Sequence, residues 1–161
     1  MHVRPMLPSE TQCVDALARA TGFHLDIVEE QSRTLSRIWV ARRDASSIEP
    51  EAFLLVWAAA DELHVIAIGT RPDARREGLA RALVETLVDY AKETRARLIL
   101  LEVRRSNLAA ARLYRSFGFS IARLRRGYYA APEEDGIEML VTLNEHGQLE
   151  QLPDEVKVLE V

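Results

Sequence analysis

Between Glu62 and Arg126 the hydrophobic period of the chain switches repeatedly, and this limits the fold more than any other feature. Residues 62–70, ELHVIAIGT, read as a strand. From Leu79 onward Leu83, Val84, Leu87, Val88 and Ala91 recur at helical spacing, while Arg81, Glu85, Asp89 and Lys92 face away. Arg97 to Val103 returns to strand, with Leu98, Ile99, Leu100 and Leu101 in one apolar run that stops at Glu102. Asn107 to Phe117 reads as a helix, ended by Gly118, which supplies the left-handed C-terminal position. Phe119 to Arg126 and Gly136 to Leu143 read as two more strands. Such alternation builds a sheet with helices laid on its faces.

The N-terminal part contributes strands joined without a long helix. Residues 9–20 read as a helix with Ser9 as N-cap, and 25–35 as a short second one. Arg37 to Arg43 and Ala52 to Ala60 read as strands around the turn-rich DASSIEP. The expectation is one α/β (α+β) domain over 1–144 with a mixed central sheet. Residues 145–161 are then an acidic tail or, through EVKVLEV, an extra strand.

At 161 residues and 48% hydrophobic the chain can bury one core. No run approaches the roughly 20 apolar residues of a membrane span, and MHVRPMLPSETQ lacks the apolar centre of a signal peptide. The single cysteine, Cys13, excludes an internal disulfide and a multi-cysteine metal site, and suits a reducing cytoplasm. A net charge of −4 argues against a general nucleic-acid binder. The charge is uneven: 71–126 holds thirteen arginines, whereas 127–161 holds nine acids and one base, Lys157. This suits an anionic ligand in one place and a basic partner in another, or simply a solvated surface.

The segment RPDARREGLAR, residues 71–81, joins the strand to the long helix. A helix N-terminus exposes unpaired N–H groups and a partial positive charge. Gly78 and Ala80 would let a phosphate approach, and Arg75, Arg76 and Arg81 can add charge-assisted bonds. An ordinary strand-to-helix turn with solvated arginines is the alternative.

Arg75-Arg76-Glu77-Gly78-Leu79-Ala80 resembles the (Gln/Arg)-x-x-Gly-x-(Gly/Ala) signature of the GCN5-related N-acetyltransferase (GNAT) family, and the flanking ELHVIAIGTRP and RALVETLVDYA match it too. The resemblance implies that Arg75, Arg76, Glu77, Gly78, Leu79, Ala80 and Arg81 bind the pyrophosphate of acetyl-CoA. It implies a sheet splayed at that site, with Ile68, Gly69 and Thr70 pairing with the pantetheine arm. LEVRRSNLAAARLYRSFGF and RRGYYAAPEEDGIEM are similar to the branch of ribosomal-protein-alanine and N-terminal acetyltransferases. That likeness covers about residues 50–143, and it implies Glu102 as general base, Tyr114 as general acid and Tyr128 beside an incoming peptide N-terminus.

The residue types suit the chemistry. Attack on a thioester needs a neutral amine, and an α-amine with a pKa of roughly 8 is closer to that state at pH 7 than a lysine near 10.4. A carboxylate, directly or through water, can take the remaining proton. A tyrosine hydroxyl can protonate the departing thiolate. Asn107 and Tyr114 stand about two helical turns apart, so one face can offer an amide and a hydroxyl to the cofactor. Taken without the resemblance, Tyr114 beside Leu113 and Phe117 reads as a core aromatic, and Glu102 as a solvated group or a partner of Arg104.

The likeness thins towards the N-terminus. GFHLDIVEEQ stands where the branch has a Pro-Trp-Ser-like stretch, with Phe23 and Asp26 as the nearest echoes and Phe23 as a candidate substrate contact. Ala67 replaces a frequent asparagine, and Gly127 a commoner asparagine or lysine. His2, His24, His64 and His146 show no metal-ligand spacing; His64 is expected to point to solvent or a neighbouring strand. The expected activity is acetyl-CoA-dependent acetylation of a protein N-terminus, with a small-subunit ribosomal protein's alanine as the leading acceptor. A basic ribosomal protein is then the partner, and neither a metal, a membrane nor a nucleic acid takes part. The rivals are acetylation of a lysine or small amine, and a non-catalytic CoA-binding module.

Overall fold

The computed structural model describes residues 1–157. Its described strands are β1 (His2–Pro5), β2 (Ser36–Arg42), β3 (Ala52–Ala59), β4 (Glu62–Thr70), β5 (Leu98–Arg104), β6 (Ser120–Ala130), β7 (Glu133–Leu143) and β8 (Leu149–Glu150). Its α-helices are α1 (Thr11–Ala20), α2 (Ile27–Ser32), α3 (Leu79–Thr94) and α4 (Leu108–Arg115). Hydrogen bonding follows the order β1-β2-β3-β4-β5-β7-β6, with β8 also pairing β7. This is an open, mixed α+β sheet. The chain packs as two compact units, Met1–Ala59 with Val65–Tyr90, and Ala60–His64 with Ala91 onward.

In the first unit β1, β2 and β3 form antiparallel ladders, in register at Arg4↔Val40 and Val40↔Phe53. Ala52 to Val56 of β3 are fully buried, as expected of a strand covered on both faces. One stripe of α1, Val14, Leu17 and Ala18, closes over Val40, Phe53, Leu55 and Ala67, with Ile27 of α2 beside them. The i, i+3, i+4 spacing on α1 is what makes that stripe. Each large side chain so buried contributes about 1.5–3 kcal/mol.

Three local features depart from the sequence reading. β1 is an additional strand, HVRP, too short and too polar to announce itself. Ser9 is not an N-cap: it lies in a 3-10 turn, Pro8–Glu10, that precedes α1. Glu10 organises this turn instead, accepting from Leu7 N–H at 2.9 Å and from the guanidinium groups of Arg4 and Arg42 at 2.7 Å. The second helix shrinks to Ile27–Ser32, because Asp26 caps it by accepting from Glu29 N–H at 2.9 Å.

In the second unit β7 is the middle strand, antiparallel to β5 and β6. Both β6 and β7 run longer than their apolar cores, as a hairpin with register shifts at Ile121/Arg123 and Arg125/Tyr129. α4 ends as the glycine implies. Gly118 has φ +88°, its N–H donates to Arg115 C=O at 2.9 Å, and Phe119 N–H reaches back to Tyr114 C=O at 3.2 Å.

A short strand in the tail, Leu149–Glu150, pairs with Leu143 and Thr142. Glu155 to Lys157 of EVKVLEV are not strand, and the rest of that stretch lies outside the described residues. Asp154 accepts from the Arg115 guanidinium and, at 2.8 Å, from Ile121 N–H. Glu155 N–H donates to Ile121 C=O at 2.9 Å. No helix among the described residues is long and apolar enough to cross a membrane.

Candidate active site

Alternation places the chemistry. In β4 Leu63, Val65, Ala67 and Gly69 are buried, which leaves His64, Ile66, Ile68 and Thr70 on the opposite, half-open face. In β5 Ile99, Leu101 and Val103 are buried, so Glu102 shares a half-open face with Leu98, Leu100 and Arg104. The apolar run 98–101 therefore alternates after all. Glu102 is not a strand-end residue but a polar group on the more accessible face of a strand.

Glu102 is not paired with Arg104, whose guanidinium donates to the carbonyls of Pro132 and Ala131. Its Oε2 lies 2.7 Å from His64 Nε2, and its Oε1 accepts from Arg125 Nη1 at 3.1 Å. The Glu102 side chain is only 8% exposed, against 34% for His64 and 35% for Arg125. Burial pushes its carboxyl up, but His64 and Arg125 outweigh burial and hold it below the ordinary glutamate range. The carboxylate is thus anionic at neutral pH and accepts from two side chains. Sequence reasoning missed both partners. The available signal was that His64 and Glu102 are polar residues on half-open faces of strands joined by one helical crossover.

Tyr114, on α4, is 4% exposed and packs against Phe119 with ring centroids 5.6 Å apart. Burial, with Tyr129 adding to it, raises its pKa well above the usual phenol value, so the hydroxyl stays protonated. It is therefore a hydrogen-bond donor at neutral pH. Asn107 caps α4, its side-chain carbonyl accepting from Ala110 N–H at 3.2 Å. That leaves its amide N–H groups as the part able to meet a ligand.

The β6–β7 hairpin carries the tyrosine pair. Tyr128 is 43% exposed and stands edge-on to Tyr129, centroids 5.0 Å apart. Arg125 lies over the Tyr128 ring and Arg104 over the Tyr129 ring, each at 4.3 Å. Gly136 makes room for this: a Cβ there would sit 2.9 Å from Tyr128 Cδ1. Tyr129 is pushed up to about 12, by burial first and then by Tyr128 and Glu102. Glu134 accepts from Ser106 N–H at 2.9 Å and from its hydroxyl at 2.8 Å, joining the hairpin to the start of α4.

The arginine loop belongs to the first unit. Arg76 and Gly78 have φ +65° and +88°, and α3 begins directly after them. Arg75, Arg76, Glu77, Gly78 and Arg81 are exposed, Ala80 is half-buried and Leu79 is buried. Leu79 can therefore offer a ligand only its backbone. The loop is braced from below. Glu51, its side chain 3% exposed, pairs with Arg43 and Arg71, and Arg43 Nη1 reaches Glu77 at 3.1 Å. Phe23 packs on the core, edge-on to Phe53 at 6.0 Å. Among the described residues no cluster of three His, Cys, Asp or Glu could hold a metal ion.

A helix N-terminus behind an arginine-glycine loop, and an anchored carboxylate on an open strand face, define a class. The chain belongs to the acetyltransferase (GNAT) family, whose sequence pattern matches residues 12–119. Over 87 residues it is 44% identical to the ribosomal protein bS18-alanine N-acetyltransferase of Escherichia coli strain K12, which spans 54% of this chain and 57% of that one. It thus aligns with little more than half of that relative. The crystal structure of the ribosomal-protein-S18-alanine N-acetyltransferase from Escherichia coli matches 86% of this chain and 91% of that chain, with a TM-score of 0.76 at 28% identity. Arabidopsis thaliana NAA60 in complex with acetyl-CoA shares the fold, with a TM-score of 0.75 at 20% identity over 89% of this chain and 98% of that chain.

Proposed function

We propose that this chain transfers acetyl from acetyl-CoA to the α-amine of a protein N-terminus, and that the acceptor is the N-terminal alanine of a small-subunit ribosomal protein in the cytoplasm. The 44% identity to the enzyme from Escherichia coli carries the reading, since that protein's name states the same acceptor. Acetyl-CoA would be held by Ile68, Gly69 and Thr70 along the pantetheine, by Arg75–Arg81 at the pyrophosphate and by the Asn107 amide.

Glu102 draws the proton from the incoming ammonium, directly or through a water. The neutral nitrogen attacks the thioester carbonyl carbon, and a tetrahedral intermediate forms and collapses. The nitrogen gives up its second proton to solvent, the C–S bond breaks, the thiolate leaves, and Tyr114 supplies a proton to the sulfur. Tyr128, exposed and backed by Arg125, suits contact with the acceptor peptide, and Phe23 is the second candidate.

The test is a panel of peptides with acetyl-CoA, read by fragmentation mass spectrometry. It contains free N-termini beginning Ala-Arg, Ser and Met, the same peptides blocked, and internal lysines. Acetyl on the α-amine of the Ala-Arg peptide alone is the expected result. Acetyl on lysine would replace the acceptor class. Binding of acetyl-CoA with no amine modified would make the chain a binding module.

A further inference from the structure

The group facing Glu102 from β4 has chemistry of its own. An ionised carboxylate oxygen only accepts hydrogen bonds, so a nitrogen 2.7 Å from it must carry a hydrogen. In neutral His64 that hydrogen is on Nε2. Nδ1 then holds the lone pair, and it has no hydrogen-bond partner among the described residues. His64 is also the more accessible member of the pair, 34% exposed against 8% for Glu102. The arrangement is a buried carboxylate behind an imidazole whose basic nitrogen is left available. The other charged or titratable groups around it are Arg123, Arg125, Tyr128 and Tyr129 from β6 and, opposite Glu102 in register, Glu138 from β7.

By reference values an imidazole is a stronger base than a carboxylate. An α-ammonium near pKa 8 lies nearly four units above a reference carboxylate but only about one and a half above a reference imidazole. The contacts that keep Glu102 ionised widen the first gap.

We propose that the amine's proton comes to rest on Nδ1 of His64, and that Glu102 fixes the imidazole tautomer and stabilises the imidazolium that forms. This rests on the acetyltransferase reading above and revises its first step: His64, held by Glu102, takes the proton that the reading above gave to Glu102 itself. The N–H bond of the ammonium breaks as H–Nδ1 forms. The freed nitrogen lone pair makes the C–N bond, the nitrogen gives up its second proton to solvent, the C–S bond breaks to leave a neutral amide, and the sulfur takes its proton from Tyr114. The imidazolium then returns its proton to solvent, and Tyr114 recovers one from solvent. The Glu102 contact resembles in kind the carboxylate–imidazole pairing that holds other catalytic histidines.

His64→Gln separates this role from a structural one. The glutamine amide can still donate to Glu102, so the carboxylate keeps its neighbour while the titratable nitrogen is gone. Rates on the α-amine peptide are measured between about pH 6 and 9.5 for the wild type, His64→Gln and Glu102→Gln, beside acetyl-CoA affinity by calorimetry. His64→Gln is expected to lose about 10²-fold in kcat near pH 7. Its acetyl-CoA affinity and thermal midpoint should hold. The deficit should shrink as rising pH delivers the amine already neutral, and added imidazole should restore part of the activity of His64→Ala. Wild-type kcat and an unchanged pH profile in His64→Gln, beside a crippled Glu102→Gln, would overturn the pair and leave the acetyltransferase reading intact. A wild-type protein that acetylates no amine would overturn both.

Discussion

Gly69 looks like a cofactor-facing residue in the sequence, yet the structure gives it a packing reason. Its side-chain direction points into the core. A Cβ placed there would lie 2.5 Å from Thr21 Oγ1 and 2.6 Å from Phe53 Cε1. Neither neighbour can step aside freely. The Thr21 hydroxyl is bonded to the carbonyls of Leu17 and Ala18 at 2.9 and 3.0 Å, and Phe53 is fully buried. Turning Thr21 away forfeits about 0.5–1.5 kcal/mol, and forcing Phe53 aside costs about 1–3 kcal/mol as overpacking. Alanine's stiffer unfolded chain offsets about 0.4–1 kcal/mol. Gly69→Ala should therefore destabilise by about 1–3 kcal/mol, a fall of about 3–10 °C in Tm for a chain of this size. Urea denaturation and calorimetry measure it, and a cycle with Thr21→Ala isolates the collision, with a coupling of about 1 kcal/mol. A Gly69→Ala protein within about 0.5 kcal/mol of wild type, and strictly additive with Thr21→Ala, would refute the packing account.

Gly78→Glu places a side chain at φ +88° and a negative charge where the pyrophosphate is expected, so acetyl-CoA affinity should fall at least about tenfold by calorimetry; unchanged affinity would remove the loop from cofactor binding. Glu10 gives a pH signature. The Arg4 guanidinium above all, with Leu7 N–H and Arg42, holds its carboxyl down at about 2 against burial. A depressed folded-state pKa adds stability that is present above the ordinary value near 4.5 and is lost as pH falls towards 2. Glu10→Gln should thus cost about 1–3 kcal/mol near neutrality in urea unfolding, screened because Arg4 is partly exposed. The gap should close in acid, and a gap constant from pH 7 to about 3 would contradict the assignment.

Where one long period governs a segment, the sequence was legible. β4 spans Glu62–Thr70 as read, and α3 ends at Thr94 with its predicted stripe of Leu79, Leu83, Val84, Leu87, Val88 and Ala91 buried. Short elements were not. β1 has four residues, and its strand character comes from β2, some 35 positions further on. The loop at 71–81 and the carboxylate at 102 were singled out by resemblance to a family pattern, beside bland readings that local pattern left open. What escaped was the content of pairing between distant segments: His64 against Glu102, Arg125 rather than Arg104 as the counter-ion, and Asp154 on Arg115. Each is a polar contact across strands or onto a helix. Its position follows from register and strand order, which a hydrophobic pattern does not encode.

The stitching at Ile121 has a bearing on how the molecule behaves in company. β6 closes one end of the strand order, and a strand in that place shows a row of unpaired donors and acceptors to any extended chain that passes. Here the N–H and C=O of Ile121 are both taken, by the Asp154 carboxylate and the Glu155 amide of the same molecule. The chain thus carries its own stopper against strand-to-strand pairing at this position. Trimming the chain after Leu143 would uncover this site for intermolecular pairing and leave Arg115 without its carboxylate.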